Sequence, residues 1–407
     1  MLDLEPVELP HKILMVNSNR GFVGGVERFM VQMASILRGQ NWEIYGLFEQ
    51  TAFQHPEFDK AFDDFEVLDY LELEDLIEDY IDMGIELVCF HKVTKWQWVK
   101  QLQSKFVNVV IVHDHDYYCL RRHKYFPFRR INCSLPFSTI YCPMCAGMLE
   151  KREQSFKLID VEQKYLTLKH IRECNISFVL SDFMKDNLLM NKWQTSKIHK
   201  LIPAQIPYNG LQSNERSSIP VILYVGQLIR GKGVDLLLKS LALINTPFKC
   251  IILGRGNDQK YLEGLADKLN LNSRVEFREW TNAVSAVYQE SDLLVVPSRW
   301  QEPYGLIGLE AFAHKLPVIA FDIGGISEWL SHNANGILVK PKDIKRLAAA
   351  IRALLSDKSR RLKLGNYGFE EVRAEHSAES FYRSFISPLA TYLSFISKGE
   401  ITINEHE

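Results

Sequence analysis

The chain has 407 residues, more than the roughly 250–300 at which a single hydrophobic core stops growing, so two domains are expected. Lys and Arg number 48 against 50 Asp and Glu, a net charge of -2, and 46% of residues are hydrophobic. That balance excludes a disordered chain and a global basic field for nucleic acid, so an anionic ligand must be met by local charge. Seven cysteines are too few and too uneven for a disulfide scaffold: Cys119, Cys133, Cys142 and Cys145 fall within 27 residues, while Cys89, Cys174 and Cys250 are scattered.

The opening, MLDLEPVELPHKILMV, places acidic residues and a proline before its only apolar run, and nowhere do eighteen uncharged apolar residues follow one another. The expectation is a cytoplasmic, non-spanning chain, with peripheral contact to an anionic inner membrane face left open to a basic patch. KILMVN at 12–17, WEIYGLF at 42–48, ELVCF at 86–90, VNVVIVH at 107–113 and ISFVL at 176–180 are short apolar or β-branched runs separated by helix-length segments. They predict a parallel, doubly wound sheet. From Glu57 to Glu86 thirteen acidic residues meet one basic residue, Lys60, a pattern for an acidic amphipathic helix or two with a solvated face.

YNGLQSNERSSIP reads as the linker. A second series follows: VILYVG at 221–226, FKCIILG at 248–254, RVEFRE at 274–279, DLLVVPS at 292–298, LPVIAFD at 316–322 and GILVK at 336–340. The expected organisation is an α/β chain with an N-terminal Rossmann-like domain over 1–208, carrying a Cys-rich insertion at 119–145. A C-terminal Rossmann-like domain would cover 209–388, and a terminal helix and tail over 389–407 would pack back on the first domain. The carboxyl ends of such sheets are where ligands bind, so a cleft between the domains is the expected active site.

Three segments carry phosphate chemistry. Gly24 and Gly25 precede a helix with apolar residues at Val26, Phe29, Met33, Ile36 and Leu37; they are read as relieving Cβ crowding at a helix start whose unpaired N–H groups suit an anion. YVGQLIRGKGVDLLLKSL sets Arg230 and Lys232 in a glycine-rich loop, two cations able to grip a diphosphate. In PSRWQEPYGLIGLEAFAHKL, Glu302 precedes a turn and Glu310 lies eight residues on. A helix starting near Gly305 would turn the amides of Tyr304, Gly305, Leu306 and Ile307 toward phosphate oxygens, with Glu310 accepting from a ribose or sugar diol and Glu302 reaching a sugar hydroxyl.

Together GGVE at 24–27, VHD at 112–114, VGQLIRGKG at 225–233, GRGND at 254–258 and E302-PYG with Glu310 resemble the retaining family 4 nucleotide-sugar glycosyltransferases of GT-B fold. The resemblance covers nearly the whole chain and is strongest from Tyr224 to Val339. It implies two Rossmann-like domains facing across a central cleft, a nucleoside diphosphate sugar as donor and no redox cofactor. The acceptor would be a hydroxyl of a glycan, glycolipid or lipid-linked glycan, as in surface polysaccharide biosynthesis. Gly24 and Gly25 would approach the donor phosphate, Lys232 the diphosphate, Glu302 the donor sugar and Glu310 the ribose. Gly324 and Gly325 match the family's glycine-rich turn, with Glu328 a structural or cleft-polar residue. One position departs: the family often carries Arg where this chain has Gln227, which makes Arg230 the candidate substitute.

VNVVIVHDHDYYCLRRHKY presents His113 and Asp114 off a strand end, and the resemblance makes His113 a hydrogen-bond partner of the donor sugar or departing phosphate. The HDHD run leaves a shift to His115 and Asp116 open. Catalytic roles are therefore expected for His113 and Glu302, without an enzyme nucleophile: the acceptor attacks on the leaving-group face and the diphosphate takes its proton. The basic loop that follows, with Lys124 as a further cation, offers Asp114, Arg121, Arg122, Arg129 and Arg130 to a phosphate-bearing acceptor, and its Cys119, Cys133, Cys142 and Cys145 to structural Zn(II). C-x2-C suits tetrahedral zinc, but the C-x13-C-x8-C-x2-C spacing is no standard finger, so reduced thiols, disulfides or an iron–sulfur cluster stay open. Rival readings are a sugar-nucleotide epimerase or phosphorylase, or a non-catalytic nucleotide-sugar or glycan-binding module; nucleic acid is not an expected partner.

Overall fold

The computed structural model describes residues 9–52, 55–68, 73–126, 131–146, 149–151, 156–158, 160–205, 219–281 and 283–400. They divide into two compact units, one drawn from Met1–Lys124, Cys133–Ile202 and Glu379–Glu407, the other from Tyr125–Asn132 and Pro203–Ala378. Residues 208–218 of the predicted linker, YNGLQSNERSSIP at 208–220, lie outside the described residues.

The first unit is built on β1 (Lys12–Arg20), β2 (Glu43–Thr51), β3 (Asp64–Val67), β4 (Leu87–Phe90) and β5 (Val107–Ile111). Two small antiparallel pairs follow, β6 (Tyr125–Phe126) with β7 (Ile131–Asn132) and β8 (Leu149–Lys151) with β9 (Phe156–Leu158), before β10 (Ile176–Val179) and β11 (Ile198–Lys200). The main sheet has the order β11-β10-β5-β4-β1-β2-β3, with every pairing parallel. Ile13, Leu14, Met15 and Val16 are all fully buried because both faces of β1 are covered. Leu14 and Val16 join a core with Val88, Phe90, Trp98, Val99, Leu102 and Ile171. The C-terminal helix brings Phe381 against Phe29 and Phe385 against Trp42 and Phe178, with ring centroids 5.3–6.5 Å apart.

The second unit repeats the plan with β12 (Val221–Val225), β13 (Lys249–Leu253), β14 (Val275–Arg278), β15 (Leu293–Val296), β16 (Val318–Phe321) and β17 (Gly336–Val339). Its order is β14-β13-β12-β15-β16-β17, again all parallel. In both sheets the order reverses once, between β1 and β4 and between β12 and β15. That is where side chains at the carboxyl ends of strands diverge to leave room for a ligand.

Every predicted apolar run is a strand within two or three residues. β3 was not among them, because DFEV alternates acidic with apolar residues and lies in the acidic stretch. As an edge strand it needs only one apolar face, and its carboxylates oppose edge-to-edge pairing. Further along the same stretch, helix Leu73–Asp82 buries Leu73, Ile77 and Tyr80 and turns Glu74, Asp75, Glu78, Asp79 and Asp82 to solvent, the solvated face its periodicity predicts.

Candidate active site

In the first unit, β1 runs toward the exposed Gly24 and Gly25, where helix Gly25–Arg38 begins. The Gly24 N–H donates to Glu27 Oε2 at 2.8 Å, and Asn17 Nδ2 donates to Glu27 Oε1 at 3.3 Å. The buried Glu27 therefore reaches back to close the helix start. The expected Cβ crowding is absent: an added Cβ at Gly25 meets nothing within 4 Å, and one at Gly24 meets only Glu27 Oε2 at 3.9 Å. Packing within the chain does not require these glycines; the space beside them is open.

Beyond β4 and β5 stand His91 and His113. Their rings are nearly parallel, 5.2 Å between centroids, with His91 Nδ1 and His113 Nε2 3.0 Å apart. Phe29 packs edge-on to His113 at 4.9 Å. Burial, with a further contribution from the Lys92 charge, pushes the His113 pKa down to about 3, so the ring is neutral across physiological pH. His115 is buried and pairs with the Tyr118 hydroxyl at 2.8 Å. Its ring is committed to the core, which removes the shifted assignment of the HDHD run.

Asp114 accepts from the Asp116 N–H at 2.7 Å, and its Oδ2 lies 3.5 Å from Lys92 Nζ. Burial raises its pKa, with Asp116 adding to the rise and Lys92 opposing it. Asp116 gathers Lys92 at 2.7 Å and Lys164 and Arg122 each at 3.4 Å. Burial alone would raise its pKa, but these cations hold it well below the usual carboxylate range. Arg122 is thus partly committed to Asp116, and Arg121 donates to the Cys145 carbonyl at 3.5 Å. Lys124, counted from sequence among the loop cations, is instead 2% exposed and donates to Asn187 Oδ1 at 2.8 Å. Arg129 and Arg130 lie outside the described residues.

Cys119, Cys133, Cys142 and Cys145 are free thiols, partly buried. The Cys119 sulfur accepts from the Lys124 N–H at 3.4 Å and the Cys142 sulfur from the Ser138 N–H at 3.3 Å. Among the described residues no three His, Cys, Asp or Glu side chains are arranged to hold a metal ion. The four thiols lie close enough that Cys119, Cys133 and Cys142 add to the rise that burial imposes on the Cys145 pKa, with Arg121 opposing it.

In the second unit, Lys232 ends a 3-10 turn over Arg230–Lys232. Its Nζ sits 2.7 and 3.0 Å from the two carboxylate oxygens of Glu302. Glu302 is 5% exposed and also accepts from the Ser298 hydroxyl and, at 3.0 Å, from Trp300 Nε1. Burial would raise its pKa, but the Lys232 charge and these donors outweigh that and lower it, leaving a buried carboxylate. Two glycines hold this geometry. Gly233 has φ +73, and a Cβ there would lie 1.9 Å from the Pro297 carbonyl oxygen. Gly324 has φ +64, its Cβ would lie 2.1 Å from the Glu302 carbonyl oxygen, and the next N–H, of Gly325, donates to that oxygen at 2.8 Å. The matched glycine turn therefore clamps the backbone of Glu302.

Arg230 points elsewhere: its guanidinium stacks on Tyr261 at 4.7 Å and lies 3.9 Å from Asp235. Asp235 is clasped by both terminal nitrogens of the buried Arg299, whose Nη1 also donates to the Arg230 carbonyl at 2.9 Å. This pair buttresses the turn that carries Lys232, and sequence reasoning overlooked Arg299; its place directly after PS at a strand end was the available signal. Arg278, at the end of β14, is taken up by Glu276 and Glu290.

The helix bearing Glu310 runs Ile307–Ala313, starting two residues later than expected. Gly308 N–H donates to the Gly305 carbonyl, Glu310 N–H to that of Leu306, and the Tyr304 carbonyl accepts from Trp329 Nε1 at 2.6 Å. Glu310 has the polar partner its apolar surroundings demand, the Tyr288 hydroxyl at 2.8 Å. Tyr288 in turn stacks on His314 at 4.9 Å, and His314 Nδ1 meets the Glu310 carbonyl at 2.7 Å. Tyr288 was not among the sequence candidates, being one tyrosine in an apolar helix.

Residues 211–371 match the family model Glycosyl transferases group 1. An uncharacterized glycosyltransferase of Haemophilus influenzae is 30% identical over 234 residues, covering 54% of this chain and 64% of that protein. The chain spans 43% to 64% of the length of such curated relatives. Among solved structures, a glycosyltransferase from Rickettsia africae ESF-5 has TM-score 0.72 and 17% identity, covering 94% of this chain and 98% of that one. Anabaena HepE in complex with UDP has TM-score 0.69 and 17% identity, covering 93% and 100%. Residues 211–371 thus match a glycosyltransferase group 1 module, and the chain as a whole shares the fold of these solved glycosyltransferases, two doubly wound sheets each with one reversal of strand order.

Proposed function

We propose that this protein is a retaining glycosyltransferase that moves a sugar from a nucleoside diphosphate sugar to a hydroxyl of a glycan, glycolipid or lipid-linked acceptor. The observation that carries the reading is the buried Lys232–Glu302 pair at the carboxyl ends of β12 and β15, a cation and a carboxylate fixed side by side where the strand order reverses. Lys232 meets the diphosphate, Glu302 the donor sugar, and Glu310, steadied by Tyr288, the ribose diol. The amides of Tyr304, Gly305, Leu306 and Ile307 complete the donor side, with Gly24 and Gly25 leaving room for phosphate on the first unit. As the acceptor oxygen bonds to the anomeric carbon, the bond from that carbon to the diphosphate breaks, and the leaving diphosphate accepts the acceptor proton. Lys232 stabilises the charge that develops there; His113, neutral, holds the sugar by a hydrogen bond.

Asp114, Arg121, Arg122, Arg129 and Arg130 serve the acceptor in this reading, with a phosphate-bearing glycan as the favoured class. Among the described residues no helix is long and apolar enough to cross a membrane. Contact with anionic lipid is supported by the exposed Leu135, Ile140, Tyr141 and Met144, on a loop with five cations and no carboxylate between Cys119 and Ala146. No step is assigned to a metal. Metal analysis of reduced, active protein decides the four thiols: one zinc per chain establishes a site that draws them together, and near-zero zinc rejects it.

The deciding experiment incubates the purified chain with a panel of nucleotide sugars and acceptors and identifies both the donor consumed and the mass added to acceptor. Tight donor binding with no transfer across broad pools would make it a binding module instead. Glu310→Gln tests the ribose contact. The change keeps size and the Tyr288 bond but removes the charge, so donor KM is expected to rise about tenfold, the worth of one charge-assisted hydrogen bond, at unchanged melting temperature. A wild-type donor KM would end that assignment.

A further inference from the structure

We propose that His91 is a positioning residue for His113, holding its ring in one orientation and one tautomer. The inference rests on the reading that His113 acts on the donor, and extends it to a residue outside the family motif. His91 is 1% exposed at the end of β4. Its N–H donates to the Val16 carbonyl at 2.9 Å, and its own carbonyl accepts from the Tyr117 hydroxyl at 2.9 Å, so its backbone is fixed from two sides. Its ring is placed between Cys89 Sγ, 3.6 Å from Nε2, and His113 Nε2, 3.0 Å from Nδ1.

Two neutral imidazoles at that distance can share only one proton between the facing nitrogens. If His91 Nδ1 carries it, His113 accepts at Nε2 and must bear its own proton on Nδ1, which makes the nitrogen left for substrate a donor. If His113 Nε2 carries it, His91 accepts, its remaining proton on Nε2 faces Cys89, and His113 Nδ1 becomes an acceptor for a sugar hydroxyl. Either way the inner pair decides what the outer nitrogen of His113 offers. Both imidazoles are kept neutral by burial, to which the repulsion that two charged rings would feel adds at His91 and the Lys92 charge adds at His113, so the choice survives across the working pH range. Phe29, edge-on to both rings, blocks rotation out of the pair.

The test uses the full chain labelled with [15N]histidine, reading the His113 ring nitrogens at pH 7 in wild type, His91→Phe and His91→Asn. Wild type is expected to show one tautomer. His91→Phe keeps the stack and removes the hydrogen bond, so His113 should show both tautomers, with kcat down about tenfold through lost alignment and donor KM little changed. His91→Asn, whose amide reaches the same nitrogen, should restore the single tautomer and most of kcat. Should Phe prove too large beside Cys89, His91→Leu gives the same readout. His113 signals in His91→Phe or His91→Leu identical to wild type would overturn the proposal. The ring signals report the pairing without turnover, whereas wild-type turnover in His113→Ala would sink the donor role itself; the two failures are distinguishable.

Discussion

Replacing Lys232 with alanine is expected to lower kcat/KM by about 10²–10³, the cost of removing one preorganised charge from a developing anion. The same change leaves Glu302 buried beside Ser298 and Trp300 with its cation gone, so stability should also fall by about 3 kcal/mol. Two readouts separate these effects. Lys232→Ala with Glu302→Gln removes the unpaired charge; denaturation should then show stability partly recovered while activity stays low. If the double variant regains activity along with stability, Lys232 serves only to neutralise Glu302 and does not meet the diphosphate. Arg299 offers a contrast, since it touches the turn from behind through Asp235 and the Arg230 carbonyl.

His113→Ala is expected to cut kcat about 100-fold, the lower end of the cost of removing one preorganised hydrogen-bonding group. Its pH behaviour has a definite sign. In the unfolded chain a histidine titrates near 6.5, whereas His113 in the fold is pushed down to about 3. Between these values the unfolded state holds the extra proton, so stability is fully present above pH 6.5 and is lost as pH falls toward 3. The slope is at most about 1.4 kcal/mol per pH unit for this group. His113→Phe, which cannot titrate, should be less sensitive to acid over pH 4–6 in urea denaturation. Identical acid sensitivity in both proteins would mean that His113 is solvated and protonates freely. For the enzyme, no step in kcat between pH 5.5 and 8 should trace to this ring.

Some of the site could be read from one dimension and some could not. Glu302, Lys232 and the glycines at 324 and 325 each sit in a local motif of glycines, prolines or charges, and such motifs survive in sequence even where the partners lie 70 positions apart. Tyr288, Arg299 and His91 meet their partners from 22, 64 and 22 positions away, and nothing about an isolated tyrosine, arginine or histidine announces a distant partner. Two sequence readings failed because they took residue type for environment. Lys124 looked like one more cation of a basic loop, yet it is buried against Asn187; Gly24 and Gly25 looked crowded, yet face open space. The four cysteines had a suggestive C-x2-C, but spacing along the chain does not set the directions a tetrahedral site needs.

What the sequence by itself determined is the two-fold repetition of apolar strands and helices, since parallel strands buried on both faces must be apolar along their whole length. It also marks where phosphate chemistry is expected along the chain, because glycine-rich turns and paired charges follow strand ends. Only the tertiary structure decided which of these groups meet. The parallel pairing of β4 with β5 brings His91 to His113, and that of β12 with β15, where the strand order reverses, brings Lys232 to Glu302. Burial then sets their charge states, holding one histidine neutral and one carboxylate ionised, and burial is a property of the neighbours rather than of the residue.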